Sequence, residues 1–297
     1  MLTKMPIRIH CWGGLGSQLY AWALFERLSI RFPKRKVRLV LHTSGVTRRV
    51  SDLNSLFDDV ELTTVDDFKN LEKLGNRVSD EKNREVKVLS NWIVKFLKQF
   101  KSALYGFGFI TSCDSEDSVT SLKPWTVSIR GHYSNLVIDF EILNAMMSRA
   151  KIYNFKDLEI DANWNIGSAL HYRLGDLLAL SAKSPIQAER VANCIMKLKN
   201  RNMVIISDSP EVACNLLTEF VSDVEFRTLD LPIWEAIKFL CSVQIFVGTP
   251  SKISEWVAIF RIYFAYENRK TLLPVEMKSQ MNQILSVELK TEQVSYY

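Results

Sequence analysis

The chain has 297 residues and a net charge of +5, with 47% hydrophobic and 24% charged residues. This length predicts two domains, and this composition is that of a globular protein, which excludes a disordered or low-complexity chain. The charge permits anionic ligands but is too small to indicate a nucleic-acid partner. The five cysteines form no Cys-x-x-Cys pair, so neither a disulfide scaffold nor a structural zinc site is expected.

The sequence shows neither of two common membrane-targeting signals. No run of about 18 apolar residues could form a transmembrane helix, and the first residues lack the apolar core of a signal peptide. We therefore expect the protein in the cytoplasm, because its reducing conditions suit unpaired cysteines.

The amino-terminal segment predicts a β-α-β unit. Residues 7–11 form an apolar strand, residues 19–30 carry apolar side chains at helical spacing, and residues 36–42 alternate as a second strand. A glycine-rich turn at residues 13–18 joins the first strand to the helix. It lacks the third glycine and the acidic partner of a dinucleotide-binding turn, so a nicotinamide cofactor is disfavoured.

The middle of the chain contains a basic amphipathic segment. Residues 89–101 place aromatic and aliphatic side chains opposite Lys95, Lys98 and Lys101. An ordinary surface helix accounts for this pattern, and so does a helix that lies on an anionic membrane surface. Residues 125–131 predict another strand, and residues 146–161 predict the connection between the two domains.

Strands and helices also alternate through the second half of the chain. This alternation predicts parallel α/β sheets. We therefore expect two Rossmann-like domains, residues 1–150 and 151–297, that face a cleft. The expected elements of the second half span residues 168–172, 185–200, 203–206, 211–220, 224–228, 232–240, 243–247 and 254–260.

A short polar sequence, His171-Tyr-Arg-Leu-Gly-Asp176, follows the first of these strands. Strand alternation puts His171 and Arg173 on the same face. Ligands of parallel sheets bind beyond the carboxyl ends of the strands, where an arginine can hold a diphosphate through two parallel hydrogen bonds. The alternative is structural: Arg173 pairs with Asp176, and His171 lies in the core.

Further polar residues precede or begin helices. Residues 207–210 (Ser-Asp-Ser-Pro) form a strand-to-helix turn, in which Asp208 or Ser209 can cap a helix that starts at Pro210. The alternative is that this turn contacts a ligand through Ser207 and Asp208. Glu235 lies in the first turn of the next helix, where it either complements the helix dipole or contacts a ligand. No Asp-x-Asp pair follows a strand, and the four histidines show no metal-ligand spacing, so no metal is expected.

The order of these turns resembles that in the bacterial α-1,2-fucosyltransferase family, which has the GT-B fold. Residues 13–18 (Gly-Gly-Leu-Gly-Ser-Gln) are similar to the family's Gly-Gly-Leu-Gly-Asn-Gln, and residues 171–176 to its His-x-Arg-Arg-Gly-Asp. Residues 205–210 are similar to its Phe-Ser-Asp-Asp strand end, and residues 235–256 to the segment that runs into Asn-Ser-Ser-Phe-Ser-Trp-Trp. The sequence departs from the family at Leu174, which replaces an arginine, and at Ser17, which replaces an asparagine.

The resemblance implies inverting, metal-independent transfer of fucose from GDP-fucose to a hydroxyl of a cell-surface oligosaccharide, such as a lipid-linked O-antigen or capsule repeat unit. It therefore implies a nucleotide-sugar domain in the second half, an acceptor domain in the first, and peripheral contact with the inner membrane. Arg173 would act on the departing diphosphate, and Asp176 is the candidate for the general base that the acceptor hydroxyl needs. The implied donor-binding residues are His171, Arg173, Ser207, Asp208, Glu235, Ser251, Gly14 and Gly16.

Two alternatives stay open at this point. Leu174 in place of the family's arginine favours a glycosyltransferase of the same fold that uses a different nucleotide sugar. The altered serine-tryptophan segment at residues 251–256 favours a catalytically silent α/β binding subunit. Retention of His171, Arg173 and Asp176 speaks against the silent subunit.

Overall fold

The computed structural model divides the chain into two compact units, Met1–Leu136 and Val137–Tyr297. Each unit contains a parallel sheet with helices, so the predicted α/β class with two Rossmann-like units is confirmed. The structure describes residues 5–42, 52–55, 62–65, 99–149, 167–174, 186–198, 202–264, 269–289 and 293–297. Most of the basic segment at residues 89–101 lies outside these ranges, as do Gly175 and Asp176.

The first unit contains a five-stranded sheet in the order β3-β2-β1-β5-β4, and every neighbouring pair is parallel. Residues 99–106 are also helical. The strands are β1 (Ile7–Trp12), β2 (Val37–His42), β3 (Leu62–Val65), β4 (Ile110–Ser112) and β5 (Ser128–Arg130). The helices are α1 (Leu15–Arg31) and α2 (Glu116–Thr120), with a 3-10 turn at Asp52–Ser55.

Helix α1 begins at Leu15 rather than at residue 19. Gly13 has a φ of +111°, a backbone conformation that favours glycine, and Gly14 is the extended N-cap. Leu15 and Leu19 are one helical turn apart and both buried, so the helix gains core contacts by starting early. The helix ends before Pro33, as predicted.

The second unit contains a six-stranded parallel sheet in the order β11-β10-β9-β6-β7-β8. The strands are β6 (Ser168–His171), β7 (Asn202–Ile206), β8 (Glu225–Thr228), β9 (Ile245–Gly248), β10 (Lys270–Leu273) and β11 (Val294–Tyr296). The helices are α3 (Phe140–Arg149), α4 (Ala188–Met196), α5 (Pro210–Thr218), α6 (Ile233–Ser242), α7 (Lys252–Tyr263) and α8 (Lys278–Ile284).

Helix α3 packs within the second unit. The Ile138 amide just before it donates a 2.6 Å hydrogen bond to the Ile284 carbonyl, and the Tyr263 hydroxyl donates to Asn144 Oδ1 at 2.6 Å. The unit boundary therefore lies after Leu136, ahead of this helix.

The strand order of the second sheet reverses between β6 and β9. From β6 the chain adds β7 and β8 on one side, and it then returns to add β9, β10 and β11 on the other side. The connections that leave β6 and β9 therefore diverge and open a crevice at the carboxyl ends of these two strands. This is the position at which open parallel sheets bind ligands.

Arg261 in α7 is a buried charge at the centre of the second unit. Its guanidinium donates hydrogen bonds of 2.7 to 3.1 Å to the carbonyl oxygens of Leu240, Cys241, Val243, Gln244 and Lys270 and to the Thr271 hydroxyl. The carbonyls at the end of α6 have no partners within their own helix, so Arg261 satisfies them and joins α6 to β9 and β10.

All five cysteines are free thiols. Four of them, Cys11, Cys113, Cys194 and Cys241, are buried, and Cys214 in α5 is half-buried. None of the helices that the structure describes is long and apolar enough to cross a membrane.

Candidate functional site

The site is built where β6 and β9 end side by side. His171, the last residue of β6, pairs in register with Gly248, the last residue of β9. The chain after Gly248 turns into α7, whose N-cap is Ser251. The strand end, the turn and the helix start therefore meet at the switch point of the second sheet.

His171 is buried and hydrogen-bonded to the start of α7. Its Nδ1 lies 2.8 Å from Ser254 Oγ and 3.3 Å from Ser251 Oγ. Ser251 Oγ donates to Ser254 Oγ at 3.2 Å and accepts from the Ser254 amide at 3.0 Å. If the Ser254 hydroxyl donates its hydrogen bond to Nδ1, the neutral imidazole carries its hydrogen on Nε2, which leaves Nε2 as a donor.

The surroundings of His171 keep it neutral. Burial is the largest cause and lowers the pKa of His171 to about 4, while the Asp208 carboxylate raises it and the Arg173 guanidinium lowers it. A neutral imidazole can donate one hydrogen bond without adding charge to the site. The positive charge beside it is that of Arg173.

Backbone hydrogen bonds fix the chain that leaves β6. Thr249 Oγ1 donates to the His171 carbonyl and accepts from the Arg173 amide, both at 3.0 Å. The Leu174 amide donates to Asp208 Oδ1 at 2.9 Å. Asp208 and Thr249 thus hold the backbone on both sides of Arg173, which positions this arginine at the carboxyl edge.

Leu174 is fully buried in the core of the second unit. It belongs to the same apolar cluster as Leu170 and Tyr172, which pack with residues of α4 and α5. Strand alternation therefore continues through residue 174, with His171 on the opposite face. An arginine in place of Leu174 would have to bury its charge in this cluster, which is costly without a partner.

Gly248 allows the strand end and the helix start to approach closely. A Cβ atom at this position would lie 2.7 Å from Leu273 Cδ2 and 2.9 Å from Ser254 Cβ. Both neighbours are buried, so neither has room to move aside. The absence of a side chain at residue 248 is thus a condition for the contact between Ser254 and His171.

The structure brings together four of the predicted donor-binding residues, His171, Arg173, Asp208 and Ser251. Ser207 lies next to Asp208 and caps its own turn, because its Oγ accepts from the Ser209 amide at 3.0 Å.

Other predicted site residues lie elsewhere. Glu235 is in the first turn of α6 and forms a 2.8 Å ion pair with Lys238 Nζ. In the first unit, Gly14 caps α1 and Gly16 is buried in its first turn. Asp176 lies outside the described residues.

Sequence analysis did not single out Thr249 or Ser254. Ser254 stands three residues after Ser251, a spacing at which the first serine side chain caps the helix amide of the second. That pattern is readable from the sequence. The contact of the same hydroxyls with His171 depends on the pairing of β6 with β9, which brings together residues 83 positions apart.

Metal-ligating side chains do not cluster in the parts of the chain that the structure describes. No group of three or more His, Cys, Asp or Glu residues there could hold a metal ion. Arg173 and the amino end of α7 are the groups at this site that suit an anion, because the amides of a first helical turn carry partial positive charge.

No family model matches the chain, and no curated protein sequence matches it significantly. Solved structures similar to it include E. coli heptosyltransferase WaaC with ADP, at 12% identity and a TM-score of 0.45, covering 97% of this chain and 96% of that chain. E. coli ADP-heptose LPS heptosyltransferase II is 10% identical with a TM-score of 0.40, over 99% and 90% of the chains. S. aureus MnaA with UDP is 9% identical with a TM-score of 0.42, over 95% and 83%. Similarities of this size do not identify a family or an activity.

Proposed function

We propose that this chain is a glycosyltransferase that binds a nucleotide diphosphate sugar at the switch point of its second sheet. The observation that carries the proposal is the buried, neutral His171 held by Ser251 and Ser254 beside Arg173. The crevice position, the guanidinium and the helix start together suit the two phosphates of such a donor. The proposed GT-B arrangement has this unit binding the donor and the first unit binding the acceptor.

The residues at the site fit the charge changes of glycosyl transfer. As the bond to the sugar breaks, negative charge develops on the departing diphosphate, and groups already aimed at that charge lower the barrier. Arg173 supplies a full positive charge, and the Nε2 proton of His171 supplies a hydrogen bond. The acceptor hydroxyl must lose its proton to a general base, for which Asp176 stays our candidate.

For the donor we propose GDP-fucose, with inversion at the sugar carbon and without a metal. The order of the glycine turn, the His171-to-Asp176 sequence and the turn after β9 supports this choice. In the same proposal Glu235 recognises the guanine base. A different nucleotide sugar is the second candidate, and the buried position of Leu174 favours it, because the site then has one arginine where the family pattern has two.

Calorimetry with GDP, UDP and ADP in the presence of EDTA tests the donor site. We expect selective binding of GDP, and we expect Arg173→Ala to abolish it while Arg227→Ala leaves it unchanged. Arg227 is an exposed arginine of β8 whose ion pair with Glu225 lies on the surface, so it controls for the loss of charge. Selective binding of UDP or ADP would move the assignment to the second candidate.

Turnover separates an enzyme from a binding subunit. With an accepted oligosaccharide, Arg173→Ala should lower kcat by at least about a hundredfold, because removing one preorganised transition-state partner typically costs that much. Normal turnover in the purified variant would refute the role of Arg173. Nucleotide binding without transfer to any acceptor would favour the silent subunit.

We further propose that the acceptor is a lipid-linked oligosaccharide and that the first unit contacts the cytoplasmic face of the inner membrane. Phe100 and Phe107 are 54% and 68% exposed, and Lys101, which follows Phe100 in the sequence, and Lys123 are exposed as well. Exposed aromatic and basic side chains suit an anionic lipid surface.

Vesicle co-sedimentation tests this contact. Phe100→Ser combined with Phe107→Ser should weaken binding to vesicles that contain anionic phospholipid. The matched control is Val287→Ser, which removes an 82% exposed apolar side chain from the second unit. Equal sedimentation of both variants with the wild type would remove the support for membrane contact.

A further inference from the structure

A cluster of basic and aromatic side chains lies at the carboxyl edge of the first sheet, outside the site proposed for the donor. We call it the edge cluster, and it consists of His10, Trp12, His42 and Arg130. These residues come from three adjacent strands, β1, β2 and β5. Sequence analysis did not identify any of them.

Strand alternation and register bring the edge cluster together. The odd-numbered residues of β1 are buried, so His10 and Trp12 project from the other face. Trp12 pairs in register with His42, and His10 pairs with Arg130. The edge cluster lies at the carboxyl ends of β1, β2 and β5, and the carboxyl edge is where open parallel sheets bind ligands.

The members of the edge cluster contact one another closely. His10 Nδ1 lies 2.9 Å from His42 Nε2. The rings of Trp12 and His42 are stacked, with centroids 4.3 Å apart and an angle of 14° between their planes. The guanidinium of Arg130 lies 5.8 Å from the centre of the Trp12 ring, a cation-π contact that restrains its position.

The charged groups that shift the pKa of His10 are all basic. After burial, which is the largest cause, Arg130, His42 and Arg8 lower the pKa of His10 to about 4. Nε of Arg130 is buried and has no hydrogen-bond partner. Among the residues that the structure describes, no carboxylate forms an ion pair with Arg130 or Arg8.

One carboxylate does lie on this edge, but backbone amides engage it. Asp114 Oδ1 accepts hydrogen bonds from the amides of His132 and Tyr133, at 2.8 Å and 3.3 Å. It is also not among the charges that shift the pKa of His10. Backbone amides therefore hold this carboxylate, and it forms no ion pair with Arg130.

We propose that the edge cluster binds an anionic group, a phosphate or a carboxylate, with Arg130 as the anchoring cation and the outward N–H of the hydrogen-bonded His10–His42 pair as a hydrogen-bond donor. A guanidinium and an imidazole N–H match the oxygen atoms of either anion. The stacked Trp12 and His42 rings hold these groups in place. Resting on the proposed function, this anion belongs to the acceptor, so that the enzyme extends a charged oligosaccharide.

Histidine labelling makes the test direct, because the chain has only four histidines. Protein labelled with ¹³C at histidine Cε1 is titrated with inorganic phosphate and, separately, with acetate, while the four ring signals are followed by NMR. We expect saturable shifts of the His10 and His42 signals. In Arg130→Gln the affinity seen at these signals should fall at least about tenfold, the loss expected for a charge-assisted hydrogen bond.

The matched control is Lys34→Gln, which removes an exposed positive charge from the same unit. It should retain the wild-type affinity. Unmoved His10 and His42 signals up to about 50 mM phosphate and acetate, a concentration at which weak charge-assisted anion sites are occupied, would overturn the proposal. So would equal affinity in Arg130→Gln and the wild type.

A sugar phosphate identifies the source of the anion. Glucose 6-phosphate should shift the His10 and His42 signals at a lower concentration than inorganic phosphate does, and glucose should not shift them. If inorganic phosphate binds as tightly as glucose 6-phosphate, the site holds a free anion and the acceptor assignment is wrong. The His171 signal reports nucleotide binding in the second unit, so the donor-site proposal succeeds or fails separately.

Discussion

Burial makes His171 responsive to pH in a predictable direction. In the unfolded chain a histidine has an ordinary pKa near 6.5, whereas in the folded chain burial lowers the pKa of His171 to about 4. Between these values the unfolded state binds a proton that the folded state does not. Acid therefore favours unfolding throughout this window.

We expect the free energy of unfolding to fall by about 3 kcal/mol from this residue alone as the pH drops from 7 to 4, since one pKa unit corresponds to about 1.4 kcal/mol. Urea unfolding of the wild type and His171→Asn across this range checks the prediction, and His132→Asn, at an exposed histidine, is the control. The His171 variant should show a flatter dependence on pH. The same slope in all three proteins would contradict it.

The sequence predicts correctly on which face of a strand a side chain lies, because side chains alternate between the two faces. Alternation predicts that His171 and Tyr172 lie on opposite faces of the sheet. The position of Tyr172 in the buried apolar cluster confirms this prediction. Alternation also places His10 and Trp12 on one face of β1. The partners of these two residues, His42 and Arg130, follow only from the pairing of β1 with β2 and β5, which no local pattern encodes.

At the scale of elements, the close approach of β9 to α7 depends on Gly248. Gly248→Ala should destabilise the protein by about 1–3 kcal/mol, because its Cβ overlaps Leu273 and Ser254. It should also weaken nucleotide binding, since Ser254 contacts His171. Thermal unfolding and calorimetry measure the two effects.

Gly106 provides the control for this substitution. A Cβ at Gly106 meets no atom within 4 Å, and Gly106→Ala at the end of a helix should be neutral or stabilising by up to about 1 kcal/mol. Equal stability of the two alanine variants would show that Gly248 is not required for packing.

Arg261 of α7 connects the end of α6 with the start of β10, so its removal should lower the stability of the second unit strongly. Arg261→Met removes the guanidinium that donates to the buried carbonyls of Leu240 and Val243 at the end of α6, so the free energy of unfolding should fall by at least about 3 kcal/mol. Urea unfolding checks this. Arg227→Met at the surface should change stability by no more than about 0.5 kcal/mol.

Hydrophobic periodicity within a segment predicted most of the strands and helices. Short strands that depend on pairing with a neighbouring strand were not predicted. Strands β1, β2, β6, β7, β8 and β9 and the helices after β6, β7, β8 and β9 match the sequence prediction to within a few residues. Strands β10 and β11 did not emerge from the sequence. Each is short, and β11 is a strand because it pairs in register with β10.

At the scale of the whole molecule, the sheet of each unit has a carboxyl edge with its own set of basic side chains. Arg173 and His171 lie at the second, and Arg130 and His10 lie at the first. Two separate clusters are what the proposed glycosyltransferase, with its two substrates, requires. The division at residue 136 assigns one cluster to each unit.

Because four of the five thiols are buried, we expect the native chain to have a single reactive thiol. Burial raises the pKa of the Cys113 and Cys194 thiols to about 11 and that of Cys241 to about 12, and Cys11 is buried as well. Because thiolates are the reactive species, Ellman's reagent should modify about one thiol per native chain, at Cys214, and all five in urea. Cys214→Ser should abolish the native reaction, and rapid modification of several native thiols would contradict this. A fluorophore attached at Cys214 would then report on the second unit without any engineered cysteine.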